Sequence, residues 1–535
     1  MFPRLKSDWK SLALLEGCRR RSLRELKQIH AHLLVSGGIA DPYAATKLLS
    51  SFVAFDLHHA ILVFRRLHHP PSTFLWNTLI GAHTDRNQSV AALSLYSQML
   101  YSGRLPNNYT FSFLLRCCVA LPSLFVGRQL HSQVVLLGWE HYDFVQNGLI
   151  HLYASCGCVA SAHELFNLSP HRDVVTWTAV VHGYVKSGQI DAAKEMFGKM
   201  PERNAVSWST MITAYSHVGM FREALDAFSE MQLAGIQPNH AGFVGALSAC
   251  GFLGALEQGK WIHAMAERMG VKMDRILGTA LIDMYAKCGC IEAAKQVFDA
   301  MLERDVFAYT AMISGFSNHG NSENAIDLFG RMEEEGVKPN EVTFICVLSA
   351  CSRMGLVDLG KLFFAKMSSS PYRMEPGVEH YGCLVDLLGR AGLIEEARNV
   401  VREMPVEPDC YVLGALLNAC RVHGKLGEGK ETVESLVELG LDHSGVHVLL
   451  SNMYASSYRW EEVRNARKVM EQNEVRKLPG CSMIEVDNVA FEFVAGDIFH
   501  PHMEEIFLAV LKGMDQQLKS FGDEDKLEDS HSHSH

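Results

Sequence analysis

Long apolar runs are missing from this chain. No stretch of about 18 uninterrupted apolar residues occurs among its 535 residues, so it contains no candidate membrane-spanning helix, and no membrane partner is expected. Fourteen cysteines are present, yet none are spaced as CxxC. That argues against zinc and against a disulfide framework, and favours small apolar residues packed between helices in a reducing compartment. Three catalytic templates are also absent: the GxxxxGK[ST] phosphate loop, a GxGxxG after a strand, and the GxSxG nucleophile elbow. No cofactor and no small-molecule substrate are therefore expected. No recognisable linker interrupts the chain, which leaves 535 residues too long for one ordinary domain unless they form a repeat array.

Positive charge is also in short supply. The formal net charge is −11, which by itself argues against nucleic acid. It is unevenly spread, however. Residues 1–150 carry 15 Lys and Arg against 8 Asp and Glu, whereas residues 301–535 carry 22 against 38. A polyanion fits the basic end. The acidic end suits protein docking or ordinary solvated helix faces.

What is present is self-similarity. LIHLYASCG at 149–157 returns as LIDMYAKCG at 281–289, and GALSACGFLG at 245–254 returns as CVLSACSRMG at 346–355. Cys156 and Cys158 fall in phase with Cys288 and Cys290, and Cys250 with Cys351. Repeats of 31 or 35 residues, with the last two slightly longer, tile the chain as 7–41, 42–72, 73–107, 108–142, 143–173, 174–204, 205–239, 240–274, 275–305, 306–340, 341–377 and 378–409. Two diverged repeats follow at 410–443 and 444–477. The repeat Val174–Asn204 shows the logic. Trp177, Val180, Val181 and Tyr184 share one helical face, Gly188 ends that helix, and Ile190, Ala193, Phe197 and Met200 make a second stripe. A hairpin this short cannot bury both stripes alone and needs neighbours. The predicted fold is all-α: a right-handed superhelical solenoid of helix-turn-helix repeats.

Polar residues recur in phase off the packed stripes. The pairs are Asn77/Asn107, Asn147/Asp173, Thr178/Asn204, Ser209/Asn239, Thr279/Asp305 and Thr310/Asn340. Taken singly, such residues are better explained by helix entry and capping. Their recurrence argues for base reading, because two short polar side chains can address one base edge. The second residue of the same repeats is apolar throughout: Phe74, Phe144, Val175, Val206, Ile276 and Phe307. That position suits packing between repeats as well as a wedge against a base.

The alternating lengths, with WNTLI (76–80), AMISGF (311–316) and EMQLAGIQPN (230–239), resemble plant pentatricopeptide-repeat proteins of the P-L-S class. HYGCLVDLLGRAGLIEEA (380–397), LLNACRVHG (416–424), LLSNMYASSYRWEEV (449–463) and PGCSMIEV (479–486) resemble the last repeat and two E-type motifs of that class. VAFEFVAGDIFHPHMEEI (489–506) is similar to its E-plus segment. The resemblance implies a six-residue leader (1–6), twelve repeats (7–409), E-type motifs at 410–443 and 444–477, an E-plus-like segment (478–522) and an acidic His/Ser tail (523–535). It further implies an organellar protein that binds single-stranded RNA and chooses sites for cytidine-to-uridine editing.

The same resemblance implies a code. Thr or Ser with Asn favours adenine, Thr with Asp guanine, Asn with Asp uracil and Asn with Asn cytosine. The six apolar residues become base wedges. Read this way, Thr178 and Asn204 meet an adenine ten nucleotides upstream of the edited cytidine. Gly382 departs from the pattern and leaves Asp409 alone, Thr46 with Ser72 is outside the usual pairs, and the long repeats with Ser112, Val244 and Ile345 receive no base.

A deaminase domain would need an HxE and a later cysteine pair to hold zinc. His502-Met503-Glu504 spells HxE, but no cysteine follows Cys481. The expectation is no enzyme activity, with a DYW-type deaminase and accessory editing factors supplied in trans. His531, His533 and His535 suit a solvated tail rather than a metal site. The Arg-rich start, with only six residues before the first repeat, favours mitochondrion over chloroplast. Alternatives are an organellar splicing or transcript-stability factor and a protein-binding helical-repeat scaffold.

Overall fold

The computed structural model describes residues 22–67, 71–121, 123–438, 444–472, 481–486 and 489–494. The expected leader, the His502-Met503-Glu504 triplet, the His/Ser tail and most of the E-plus-like segment lie outside these residues. Through residue 472 the described chain is helical, as expected, and it divides into two compact bodies, Met1–Gly242 and Phe243–His535.

Helices come in pairs. First helices of repeats include Thr73–Asp85, Asn108–Ala120, Asp143–Ser155, Val174–Lys186 and Ala205–His217 in the N-terminal body. Arg275–Lys287, Val306–Asn318, Glu341–Met354, Val378–Arg390 and Cys410–Val422 are their counterparts in the C-terminal body. Within each body a first helix packs on its own second helix and on the first helix of the next repeat. The second helix explains the two repeat lengths. It has 13 residues in Phe221–Leu233 and Ser322–Glu334, but 9 in Ile190–Gly198 and 10 in Ile291–Ala300. The difference is about one helical turn, so short and long repeats keep the same face inward.

In the repeat 174–204, Val180 and Val181 are fully buried and Ala193 and Met200 lie in the core. Trp177, Tyr184 and Phe197 are half-buried, and Met196 takes the core position expected of Phe197. Phe197 instead stands edge-on to Trp208 of the next repeat, at 4.8 Å between ring centres. Gly188 closes the first helix at φ 73, a backbone conformation that strains residues with a side chain, and lets Gln189 N–H bond Tyr184 carbonyl at 2.9 Å. None of the 12 described cysteines forms a disulfide, and Cys117, Cys118, Cys250, Cys351 and Cys420 are buried among helices. Burial pushes the Cys118 thiol up to about 12.

The described chain leaves the helical pattern at one place. Cys481–Val486 and Val489–Val494 pair as an antiparallel hairpin, with Cys481 opposite Val494 and Val486 opposite Val489. The physical reason is composition. Ile484, Val486, Val489, Phe491 and Phe493 are β-branched or aromatic, and the Asp487-Asn488 step between the runs is a hairpin sequence.

Close approach of helices within a body depends on small residues. A Cβ on Gly183 would lie 2.8 Å from Ala154 Cβ and 3.1 Å from its Cα. Gly315, its counterpart in the C-terminal body, would meet Ala286 Cβ at 3.0 Å. Gly183→Val should therefore force the two first helices apart and lower stability by about 1–3 kcal/mol. Urea denaturation checks this, with Gly198→Val as the comparison, since a Cβ there meets nothing.

Candidate nucleic-acid interface

A helix begins with backbone N–H groups that have no partner inside it. In most repeats of this chain the last residue of the preceding repeat supplies the acceptor. Asn107, Asp173, Asn204, Asp305 and Asn340 are N-caps of the next first helix. Asn239 Oδ1 accepts from Gly242 N–H at 2.9 Å in the same manner. The capping alternative weighed for these residues is thus correct as far as it goes. It also fixes what they can offer a ligand. The N–H groups require an oxygen, so Oδ1 of Asn204 faces Val206 N–H at 3.0 Å and Ser207 N–H at 2.9 Å. Its Nδ2 points away and makes no bond to the described protein. Asn107 and Asn340 hold the same orientation. Each capping Asn presents donors, and each capping Asp presents its second carboxylate oxygen, an acceptor.

The predicted partners come together in different ways. Asn77 Nδ2 donates to Asn107 Oδ1 at 2.9 Å, Asn147 Nδ2 to Asp173 Oδ2 at 3.3 Å and Asn239 Nδ2 to the Ser209 hydroxyl at 3.1 Å. Thr310 reaches Asn340 through the Thr343 hydroxyl, at 2.7 and 2.8 Å. The other two pairs are not bonded. Thr178 and Thr279 donate instead to carbonyls one turn back, Val174 and Arg275, at 2.6 and 2.7 Å. Asn77, Ser209 and Thr310 are buried, whereas Asn147, Thr178 and Thr279 are half-buried. In the buried cases the first residue acts mainly by orienting the last.

A third residue belongs to the constellation. Thr110 and Thr176, both fully buried, sit three residues beyond the caps. The Thr176 hydroxyl lies 2.6 Å from Asn147 Oδ1 and 2.7 Å from Asp173 Oδ1. Thr110 bridges Asn77 and Asn107 at 2.7 and 3.0 Å. The capping-box spacing, Asn or Asp followed three residues later by Thr or Ser, was the sequence signal for it. A second missed feature is an arginine directly before the cap in three of the short repeats. Arg203 stacks on Phe197 at 4.9 Å, and its Nε and Nη2 donate to the Phe197 and Gly198 carbonyls at 3.1 and 3.0 Å. Arg172 and Arg304 repeat this on Phe166 and Phe298. These guanidiniums satisfy helix-end carbonyls and hold Asp173, Asn204 and Asp305 in place.

The apolar second residues do not serve packing. Phe74, Phe144, Val175, Val206, Ile276 and Phe307 are 60, 75, 61, 54, 61 and 63 % exposed. Tyr109, Val342 and Tyr411, at the same register, are exposed as well. Phe144, Val175 and Val206 border a cleft of about 500 Å³ in the N-terminal body, lined also by Asn147, Thr178 and Asn204. Gly382 and Asp409 line a separate cleft in the C-terminal body, together with Ile345 and Tyr411.

Among curated proteins, a pentatricopeptide repeat-containing protein of Arabidopsis thaliana is 47% identical over 502 residues, covering 93% of this chain and 80% of that protein. The chain belongs to the pentatricopeptide repeat family. The PPR repeat family model matches residues 71–120, 203–250 and 304–353. The PPR repeat model matches 175–204, 279–306, 342–371 and 379–407, and the E motif model 423–485. Another PPR relative from Arabidopsis thaliana, named as chloroplastic/mitochondrial, is 38% identical and covers 95% of this chain and 77% of its own. The crystal structure of the maize PPR protein PPR10 aligns at a TM-score of 0.47 and 18% identity, covering 87% of this chain and 84% of that one.

Asp173 reports on the cap. Burial opposes its charge, but hydrogen bonds from Thr176, Asn147 and Val175 outweigh that and hold its carboxyl below the usual value. A depressed carboxyl stabilises the fold above its unfolded value of about 3.9 and loses that contribution as pH falls through the folded value. Thr176→Val removes the largest of these bonds. The Asp173 carboxylate titration, followed by carbon NMR, should move up toward the unfolded value.

Proposed function

We propose that this PPR protein is a sequence-specific single-stranded RNA-binding factor. It recognises sites for organellar cytidine-to-uridine editing and works with a DYW-type deaminase and accessory factors supplied in trans. The observation that carries the RNA reading is the capped orientation of the last residue of each repeat. Adenine N1 and cytosine N3 are acceptors, while guanine N1–H and uracil N3–H are donors. An Asn held by its oxygen offers Nδ2–H and complements the first two; an Asp offers an oxygen and complements the second two. The Asn-versus-Asp half of the code thereby follows from helix capping. The first residue of each pair then separates purine from pyrimidine, as the family resemblance implies.

The exposed Phe74, Phe144, Val175, Val206, Ile276 and Phe307 supply faces against which bases stack. The phased polar pairs disfavour a protein-binding scaffold, which has no use for them. The E motif match supports editing over splicing or transcript stability. The relative named chloroplastic/mitochondrial supports an organelle; the Arg-rich start favours the mitochondrion over the chloroplast. The target pattern is Y-N-Y-A-A-N-G-A-N, ending five nucleotides before the edited cytidine.

Asn204→Asp is the decisive substitution, because it keeps the cap and changes only the free edge from donor to acceptor. Preference at that position should switch from adenine to guanine, by roughly 1 kcal/mol or more. Binding to RNAs differing at that one base measures it, and an unchanged preference for adenine would refute the assignment. Organellar transcriptome sequencing after loss of the protein tests the editing role. Loss of editing at one or a few cytidines supports it; retained introns or missing transcripts would replace it with the splicing or stability reading.

A further inference from the structure

The cleft of about 500 Å³ in the N-terminal body holds more than base-reading groups. Its lining includes Arg116, His151 and His182. They are the ninth residues of three successive repeats, 108–142, 143–173 and 174–204. Elsewhere this register carries Ser50, Gly81, Thr213 or, in the C-terminal body, Asp283 and Asp386. The three basic residues therefore make a local ladder that the base-reading scheme does not use. His151 follows Asn147 by four residues, and His182 follows Thr178 by four. Each imidazole thus stands one helical turn, about 6 Å, beyond a reading side chain on the same face.

The two rings are 6.2 Å apart between centres, inclined at 55°. His182 Nδ1 is buried and has no hydrogen-bond partner. The surrounding charges are accounted for. The Arg116 guanidinium is paired with the Asp85 carboxylate and lies 5.9 Å over the Phe113 ring. The Lys186 ammonium donates to the Ser155 carbonyl. Asp173, at the loop end, is held by Thr176 and Asn147. Burial, then the neighbouring His182, then Lys186 oppose charge on His151; burial and then Lys186 oppose it on His182. In the free protein these effects disfavour the charged form of both imidazoles. An anion in the cleft reverses the balance, since a negative charge within about 4–6 Å favours imidazolium.

We propose that His151 and His182 form a proton-dependent contact to the RNA backbone, gripping the phosphodiester between the nucleotides read by Asn147/Asp173 and Thr178/Asn204. The inference rests on the RNA-binding reading above and adds to it a binding group and a pH dependence. Each imidazole that engages the phosphate takes up one proton from solvent. RNA affinity consequently rises as pH falls, by about tenfold for each imidazole whose pKa the phosphate lifts by one unit. The logarithmic salt dependence also steepens, by about 0.7 per imidazolium formed.

The test uses the full chain and a single-stranded RNA carrying the proposed base pattern, titrated from about pH 8 to about pH 6. Binding is expected to tighten toward low pH and to show a steeper salt slope there. Two changes should flatten both effects: the double variant His151→Gln with His182→Gln, and a neutral methylphosphonate at the single linkage between the two nucleotides. The methylphosphonate arm leaves the protein untouched, so it holds even where the variant folds poorly. In addition, the ring-proton titrations of His151 and His182 in the unmodified protein should move up on adding RNA. A pH dependence that survives both changes, or ring titrations that RNA leaves in place, overturns the proposal. Binding that is tight but flat with pH overturns it alone. Failure to bind the RNA at any pH overturns it together with the RNA-binding reading.

Discussion

The interface depends on one elementary requirement: a helix needs an acceptor for its first backbone N–H groups. Here the last residue of most repeats meets it for the helix that opens the next; Tyr142 and Gly377 are the exceptions among the described first helices. The residue that links two repeats structurally is therefore also the one whose remaining polar atoms face outward. Capping consumes Oδ1, so Asn204 can offer only Nδ2, and Asp305 only its second oxygen. The choice between Asn and Asp changes the chemistry presented to a ligand while leaving the fold indifferent, since both are good caps. Repeats built this way vary in the polar group they present without varying in architecture.

The supporting residues follow from the same requirement. A cap is useful for recognition only if it is held still. Thr110 and Thr176 lock their caps from inside the helix, while Arg172, Arg203 and Arg304 fix the loop before the cap in the short repeats. In the long repeats, glycines of positive φ such as Gly235 turn the chain, and the following Pro238 and Asn239 take it into the next helix. Against this rigid frame, six predicted apolar side chains remain more than half exposed. In a packed array with 48% hydrophobic residues, exposing a large apolar side chain at one fixed register is a feature in need of an occupant. Base faces are suitable occupants, being flat and apolar.

Much of this was legible in the sequence. The repeat lengths, the helical pairs and the phased polar positions all follow from the spacing of apolar and polar residues, because a 3.6-residue period and a cap leave local marks. Val180, Val181, Ala193 and Met200 could be placed in the core from spacing alone; Phe197 and Met196 could not be told apart, since both fit the stripe and only the Trp208 ring of the next repeat decides. The hairpin Cys481–Val494 was hidden by an all-helical expectation that its β-branched residues argued against.

By itself, the sequence determined which residues recur, and hence the family and the periodic positions open to recognition. Tertiary structure alone decided what those positions do. Whether Phe144 packs or projects depends on the neighbouring repeat, not on its own. That Asn77 bonds Asn107 while Thr178 turns back to the Val174 carbonyl shows only once the helices, some 30 residues apart in the chain, are packed. The His151 and His182 pair is the plainest case. Each is an unremarked residue in its own repeat, and they become one site only because stacking brings the same helical turn of adjacent repeats side by side.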